Sequence, residues 1–463
     1  MNKKHQMTIR YYSNKDIDTL PQLQRLSPRE RFEMKVVANV FPFRVNNYVI
    51  ENLIDWDKIP DDPIYRLTFM HRDMLEDYHF DKMANALNSN LSPAQIKKTA
   101  NEIRLELNPH PAGQLSANVP VMDDSTVKGV QHKYKETALI FPSGGQTCHS
   151  YCTFCFRWPQ FTGMSDLKFA TDESNRFQEY IKRHKEITNI LITGGDPMVM
   201  KISKLEKYIL PFLEPELEHL RAIRIGTKSL GYWPYRFVGD KDADDILKLF
   251  AKVKESGKHL SIMAHFNHPV ELTTNVVKTA IRRILDTGAS IRTQSPIIKH
   301  INDSAAIWEK MWREQVRLGC IPYYMFVERD TGAHNYFAIP LAKAQDIFRK
   351  AFTKVSGLAR TVRGPSMSAL PGKVLVEGVT TINREKVFML SLIQARNPEW
   401  AKKPFFAKFD PHATWLTHLK PAFEDKRFFY ENELEMMLNQ KNMIEKQNDR
   451  SNVNSYTNAL WIN

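Results

Sequence analysis

Cys148, Cys152 and Cys155 lie within the run GGQTCHSYCTFCFRWPQF, a C-x3-C-x2-C triad that brings three thiolates into one short loop. The only other cysteine is Cys320. Four cysteines in 463 residues, three of them crowded, do not staple a chain of this size as disulfides. Structural zinc takes four ligands, and its usual pairing of two C-x2-C units is absent. Three thiolates suit a [4Fe–4S] cluster with one iron free of protein ligands. An open iron binds a small molecule, which makes such a cluster a reagent rather than a support. Two blander readings stand beside it: a zinc site completed by His149, and crowded thiols with no site at all.

Other residues with chemical potential are ambiguous alone. Gly194-Gly195-Asp196-Pro197 reads first as a βα turn. His265 and His268 flank Asn267 and form a weak metal pattern without a third ligand. Lys373, in LPGKVLVEG, reads as a lysine in a Pro-Gly turn.

The elements that must position these residues follow from periodicity. The first ~130 residues read as mostly helical. Ser27-Pro28-Arg29-Glu30 is a capping box with proline at the first helical position, and Ser92-Pro93-Ala94-Gln95 repeats the device. From about residue 135, short apolar runs alternate with amphipathic ones. The predicted strands are Ala138–Pro142, Asn189–Thr193, Ala222–Gly226, Leu260–Phe266, Ala289–Gln294 and Ile321–Val327. Alternation of strands and helices predicts parallel strands joined by right-handed crossovers, and six units fit a partial barrel. In parallel barrels the chemistry gathers beyond the C-terminal strand ends. The cysteine loop, Gly194-Gly195-Asp196, Lys228, His268, Gln294 and Arg329 all fall there. The expected organisation is a helical N-terminal region over 1–130, a partial barrel over 131–375, and a C-terminal extension over 376–463. The role of that extension is not legible, and the tail from about Gln440 is expected to be poorly ordered.

Composition bounds the setting. A hydrophobic fraction of 42% and a charged fraction of 25% are ordinary for a globular protein. The start, MNKKHQMTIRYYSNKD, has no apolar signal core, and no run approaches the ~20 apolar residues that span a membrane. A reducing cytoplasm is expected. The net charge of +13 is spread without a tight basic run, which argues for a solvated basic surface over a nucleic-acid site.

Several blocks in order resemble the lysine 2,3-aminomutase family of radical S-adenosylmethionine (SAM), pyridoxal phosphate (PLP) enzymes. They are VVANVFPFRVNNYVIENLIDWDKIPDDPIYR, HKYKETALIF, the cysteine loop with Phe154 before its third cysteine, LITGGDP, IRIGTK, AHFNHPVELT, IRTQSPIIKHIND and the region ending in PGK. The resemblance implies an α/β fold with a partial (β/α)6 radical SAM barrel, a helical N-terminal extension and a mixed C-terminal extension. It implies that Cys148, Cys152 and Cys155 hold a [4Fe–4S] cluster whose free iron binds SAM. Gly194, Gly195 and Asp196 resemble the turn beside the SAM amino group, and His265, His268 and Gln294 match polar positions near SAM. Lys373 matches the lysine that attaches PLP, a task that needs a neutral amine. Lys133 and Tyr134 match the segment that clasps the PLP phosphate. Thr137 replaces an arginine usual there, and ALPG replaces a glycine run. Arg157 matches the arginine that binds the substrate α-carboxylate.

The implied reaction moves the α-amino group of an amino acid to C3 through a 5′-deoxyadenosyl radical and a PLP imine. A one-electron donor such as flavodoxin or ferredoxin and a homo-oligomer are implied as partners. Lysine-specific members surround the substrate ε-ammonium with two aspartates. By position these become Arg329 and Ser366, so both negative charges are lost and glutamate or another non-cationic substrate is expected. A one-residue shift would put Asp330 at the site and restore lysine. Two further alternatives remain: a radical SAM enzyme without PLP, and an iron–sulfur or zinc module that binds nucleic acid.

Overall fold

Strand-length apolar runs separated by amphipathic helices leave the parallel pairing as the way to bury both sets of apolar faces. The computed structural model, which describes residues 7–441, builds an α/β fold around one eleven-stranded mixed sheet. The part of the tail beyond 441 lies outside the described residues. Numbering the strands of this sheet alone, they are β1 (Val130–Tyr134), β2 (Thr137–Ile140), β3 (Asn189–Ile192), β4 (Ala222–Thr227), β5 (His259–His265), β6 (Ser290–Ile297), β7 (Ile321–Val327), β8 (Arg363–Ser368), β9 (Gly372–Ile382), β10 (Glu385–Ala395) and β11 (Pro404–Lys408). They lie side by side in chain order.

All six expected strands are present, as β2 to β7, and they pair parallel. The parallel run is one strand longer than expected, because β8 adds to β7. Its sequence, RGPSMS, lacks the apolar run that marked the others. β1 pairs antiparallel with β2, and β9 to β11 continue antiparallel from β8.

The crossover helices bury one stripe each. In Ala243–Glu255, for example, Ile246, Leu247, Leu249, Phe250 and Val253 are buried against the sheet. From the sheet, Ile190, Ile223, Ile225, Ile262 and Ile291 complete that core. The opposite face of the strands is different. Burial alternates along β4 and β6, and the half-buried positions are Ala222, Arg224 and Gly226 in one strand and Ser290, Arg292 and Gln294 in the other. A parallel sheet packed on both faces is apolar on both. Arg224, Arg292 and Gln294 on this face mark it as left open for a site.

The N-terminal part of the chain contains the helices Pro28–Val40, Asp77–Asn88 and Pro93–Glu106. Both capping boxes are present, each with the serine hydroxyl accepting from the N3 backbone N–H. This region has its own apolar cluster, which extends to Phe154 and Trp158 of the cysteine loop. Residues beyond Lys373, illegible from pattern, form the antiparallel strands and a third cluster around Phe388, Leu390, Trp400 and Trp415. Among the described residues no helix is long and apolar enough to cross a membrane.

Candidate functional site

The cysteine loop follows β2 and is clasped by the N-terminal region. Tyr151 N–H donates to Arg44 O at 2.8 Å, and Thr153 N–H donates to Leu67 O at 3.0 Å. Asn46 donates its side-chain amide to His149 O at 3.0 Å, while Asn46 N–H donates to Ser150 Oγ at 3.1 Å. Arg44 donates to Thr147 Oγ1 at 2.6 Å. The three thiols share one environment. Burial raises each, pushing Cys152 up to about 12, and both Cys152 and Cys155 raise Cys148 further. Thiols in such surroundings keep their protons until a cationic centre displaces them.

His149, the residue that would complete a zinc site, is engaged elsewhere. Its ring stacks on Trp233, its Nδ1 lies 2.9 Å from Ser229 Oγ, and burial lowers its pKa to about 3. Among the described residues no three His, Cys, Asp or Glu side chains are close enough to hold a single metal ion. A cluster instead distributes its cysteines over separate irons.

Gly194 and Gly195 press against this loop. A Cβ on Gly195 would lie 2.5 Å from Thr147 O and 2.6 Å from Thr147 N. Glycine is therefore required by the backbone of the cysteine loop itself. Asp196 is buried and turned toward the end of β4. It accepts from Thr227 Oγ1 at 2.7 Å, Lys228 N at 2.9 Å, Ser229 Oγ at 3.0 Å and Met198 N at 2.9 Å. Those bonds fasten the glycine turn to β4.

His265, Gln294 and Tyr324 are aligned across β5, β6 and β7, and Arg363 of β8 pairs with Tyr324. His265 Nε2 is buried without a partner, and its ring lies edge-on to Phe154 at 5.9 Å. Burial and the Lys228 ammonium keep this histidine neutral. His268 caps the next turn through Val270 N–H, at 3.4 Å, and burial lowers it to about 4.

At the other end of this row, Lys373 Nζ sits 4.0 Å from the centre of the Tyr324 ring and 3.4 Å from Gln394 Oε1. Burial, then the cations of Arg224, Arg363 and Arg329, bring its amine down to about 7. Lys133 donates to Ala369 O, in the turn just before Lys373. Burial lowers Lys133 well below its usual range, and Arg396, Arg329 and Lys373 add to the effect. Tyr134 feels the charges of Arg329 and Arg396. Lys133, Tyr134 and Lys373 are thus brought together. Thr137 is buried, where it begins β2.

Arg157 and Arg329 meet nearby. Their guanidinium carbons lie 5.0 Å and 4.5 Å from the ring centre of Phe156. Burial lowers Arg157 to about 9, with the Arg329 charge as the next cause. Asp330 adjoins Arg329 in sequence, and its negative charge favours that of Arg329. It lines a cavity of about 230 Å³ with Asp73, Glu76, Glu106 and His334, on the side of the N-terminal helices. Ser366 is fully buried in β8, and its hydroxyl has no partner.

Sequence reading missed Arg224, Arg363 and Arg396, which surround Lys373 and Lys133. The alternation in AIRIGT held a signal for Arg224, because a charge between two isoleucines in a parallel strand must face a cavity. Arg363 and Arg396 lie outside any apolar pattern. Arg396 donates to Leu370 O at 2.8 Å and so braces the turn before Lys373.

No protein-family profile matches the chain. A protein of Aquifex aeolicus, provisionally named L-lysine 2,3-aminomutase, is 33% identical over 87% of this chain and 94% of its own length. A glutamate 2,3-aminomutase of Clostridioides difficile is 25% identical over 74% of this chain and 69% of its own length. Among solved structures, a radical SAM methyltransferase of Sphaerobacter thermophilus aligns with a TM-score of 0.36 at 16% identity, covering 49% of this chain and 66% of that one.

Proposed function

The chain belongs to the lysine 2,3-aminomutase family, and from that premise we propose that it moves the α-amino group of glutamate, or of another amino acid with an anionic side chain, to C3. It is an isomerase, and the cofactors of its family are a [4Fe–4S] cluster, SAM and PLP. Family membership replaces the nucleic-acid module that the basic surface left open. When bound, the cluster and SAM supply a hydrogen-abstracting carbon radical, and PLP carries the migrating nitrogen.

The residues present suit these groups. Cys148, Cys152 and Cys155 provide the three thiolates. Gly194 and Gly195 offer a bare backbone edge beside them, and Asp196 holds that edge in place. His265 has an unpartnered nitrogen, and Gln294 adjoins it in register; with His268 they form the polar side of the SAM position. Lys133, Tyr134 and the turn before Lys373 suit a phosphate, which needs buried cations without carboxylate partners. Lys373 meets the requirement for a neutral amine near pH 7.

Arg157 binds the substrate α-carboxylate and Arg329 its side-chain carboxylate. Ser366 gives its hydroxyl to the same end of the substrate. The observation that carries this reading is Arg329 turned toward Arg157 while Asp330 lines a different cavity. The same proposal takes β2 to β7 as a partial (β/α)6 barrel extended by β8. It divides the chain at about residues 130 and 375, and it includes a cytoplasmic setting, a flavodoxin- or ferredoxin-type donor and a homo-oligomer.

The test is turnover by the anaerobically reconstituted protein with the common amino acids in turn, products separated by chromatography. β-Glutamate is the expected product. Faster conversion of lysine than glutamate at equal concentration overturns the substrate reading.

A further inference from the structure

Lys228 and Glu271 form a buried ion pair at 2.6 Å, with side chains 9% and 0% exposed. Nothing in the reaction requires charges at this depth, and isolated buried pairs are costly to desolvate. The pair is fully satisfied. Lys228 Nζ also donates to Asn267 Oδ1 at 2.8 Å, and Glu271 Oε2 accepts the backbone N–H groups of Asn267 and His268, at 2.5 and 3.0 Å. Gly231 leaves the space, because a Cβ there would fall 2.5 Å from Glu271 Oε1.

The arrangement ends on a cysteine. Lys228 Nζ lies 4.4 Å from the centre of the Tyr232 ring, and the Tyr232 hydroxyl lies 3.3 Å from Cys152 Sγ. Tyr232 is fully buried, and its backbone carbonyl accepts from Asn46 Nδ2 at 2.9 Å. The ring is therefore gripped by its backbone and by an ammonium over its face. A sulfur bound to iron carries no proton, so in that state only the phenol O–H can donate.

We propose that Tyr232, positioned by the Lys228–Glu271 pair, donates a hydrogen bond to the cluster-bound sulfur of Cys152 and thereby raises the reduction potential of the cluster. Tyr232 is a positioning residue here, acting through the sulfur and not on substrate. Hydrogen bonds to the sulfurs are among the factors that set iron–sulfur potentials. Reduction adds negative charge to the cluster, which strengthens a bond donated to its sulfur. The inference rests on the reading that the three cysteines hold a cluster.

The experiment is an anaerobic redox titration of the reconstituted full chain without SAM, followed by electron paramagnetic resonance. Tyr232→Phe is expected to keep the wild-type iron content and to lower the one-electron equilibrium constant for reduction about tenfold, a shift of about 59 mV to lower potential. Substitution of Tyr232 by 3-fluorotyrosine keeps the shape and makes the phenol a stronger donor, so it is expected to shift the potential upward. If Tyr232→Phe does not hold iron, the fluorotyrosine protein decides alone. An unchanged or lowered potential in that protein overturns the proposal. So does a wild-type potential in an iron-replete Tyr232→Phe. A wild-type chain that assembles no cluster removes the underlying reading instead, which iron analysis shows before any potential is measured.

Discussion

Arg157 and Arg329 share one ring, their guanidinium carbons 5.0 Å and 4.5 Å from the centre of Phe156. Burial lowers the proton affinity of both; the Arg329 charge further disfavours that of Arg157, while Asp330 offsets part of the burial at Arg329 only. Two cations held this close in a shielded place are at ease only when anions join them. Under the proposed function, a substrate with two carboxylates answers both. An arginine–carboxylate contact contributes about 1.5–3 kcal/mol, or about tenfold to a hundredfold in preference. Arg329→Gln is expected to reduce kcat/KM for glutamate by that factor while leaving iron and PLP content unchanged. Steady-state kinetics on the reconstituted variant check this; undiminished kcat/KM would place the side-chain carboxylate elsewhere.

The amine of Lys373, brought down to about 7, gives a pH dependence. Protonated below that value, it becomes a nucleophile above it. Uptake of PLP by the apo-protein is therefore expected to quicken roughly tenfold from pH 6 to pH 8 and then level off. An ordinary lysine, near 10.4, would continue to quicken through pH 9. Absorbance during PLP binding distinguishes the two profiles. Arg363→Gln removes one of the cations responsible, so its midpoint is expected to move to higher pH.

How much of this was legible depended on whether a residue's role was local. The triad Cys148, Cys152, Cys155 needs only its own loop, and short motifs disclose such sites. Strands such as β3 and β4 announced themselves through the buried isoleucines Ile190, Ile192, Ile223 and Ile225. β8 did not, because RGPSMS, though paired on both sides, carries no run of Ile, Leu or Val. Asp196 was legible as a special residue but not in its contacts, since Thr227 and Ser229 come from the next strand end. The Lys228–Tyr232–Cys152 chain was invisible for the same reason: no sequence spacing connects residues 76 or 80 positions apart with a sulfur.

Cys320 provides a control for the cysteine loop. It is buried in the main core at 3% exposure, far from the triad in sequence. Cys320→Ala is expected to cost on the order of 1 kcal/mol as a small cavity and to leave iron content intact. Alanine at Cys148, Cys152 or Cys155 is expected to abolish the iron–sulfur absorbance and SAM cleavage with the fold retained. Iron analysis and circular dichroism on the four variants provide the comparison. A triad variant that retains four irons and cleaves SAM would remove that cysteine from the ligand set.

Gly195 couples the end of β3 to the cysteine loop, and its substitution separates packing from ligand chemistry. A Cβ at this position meets Thr147 O, N and C at 2.5, 2.6 and 2.8 Å. All three are backbone atoms, so no side chain can swing away, and the loop must shift one residue before Cys148. Overpacking of this kind costs about 1–3 kcal/mol. Gly195→Ala is therefore expected to lower Tm, to reduce iron retention after reconstitution, and to weaken SAM binding, though it removes no donor atom. Gly357 is the matched control, because a Cβ there meets nothing within 4 Å. Gly357→Ala is expected to match wild type in Tm and iron. Thermal melts and iron analysis on both variants test the coupling, and a Gly195→Ala protein with wild-type Tm and iron would show that the loop is not held by this contact.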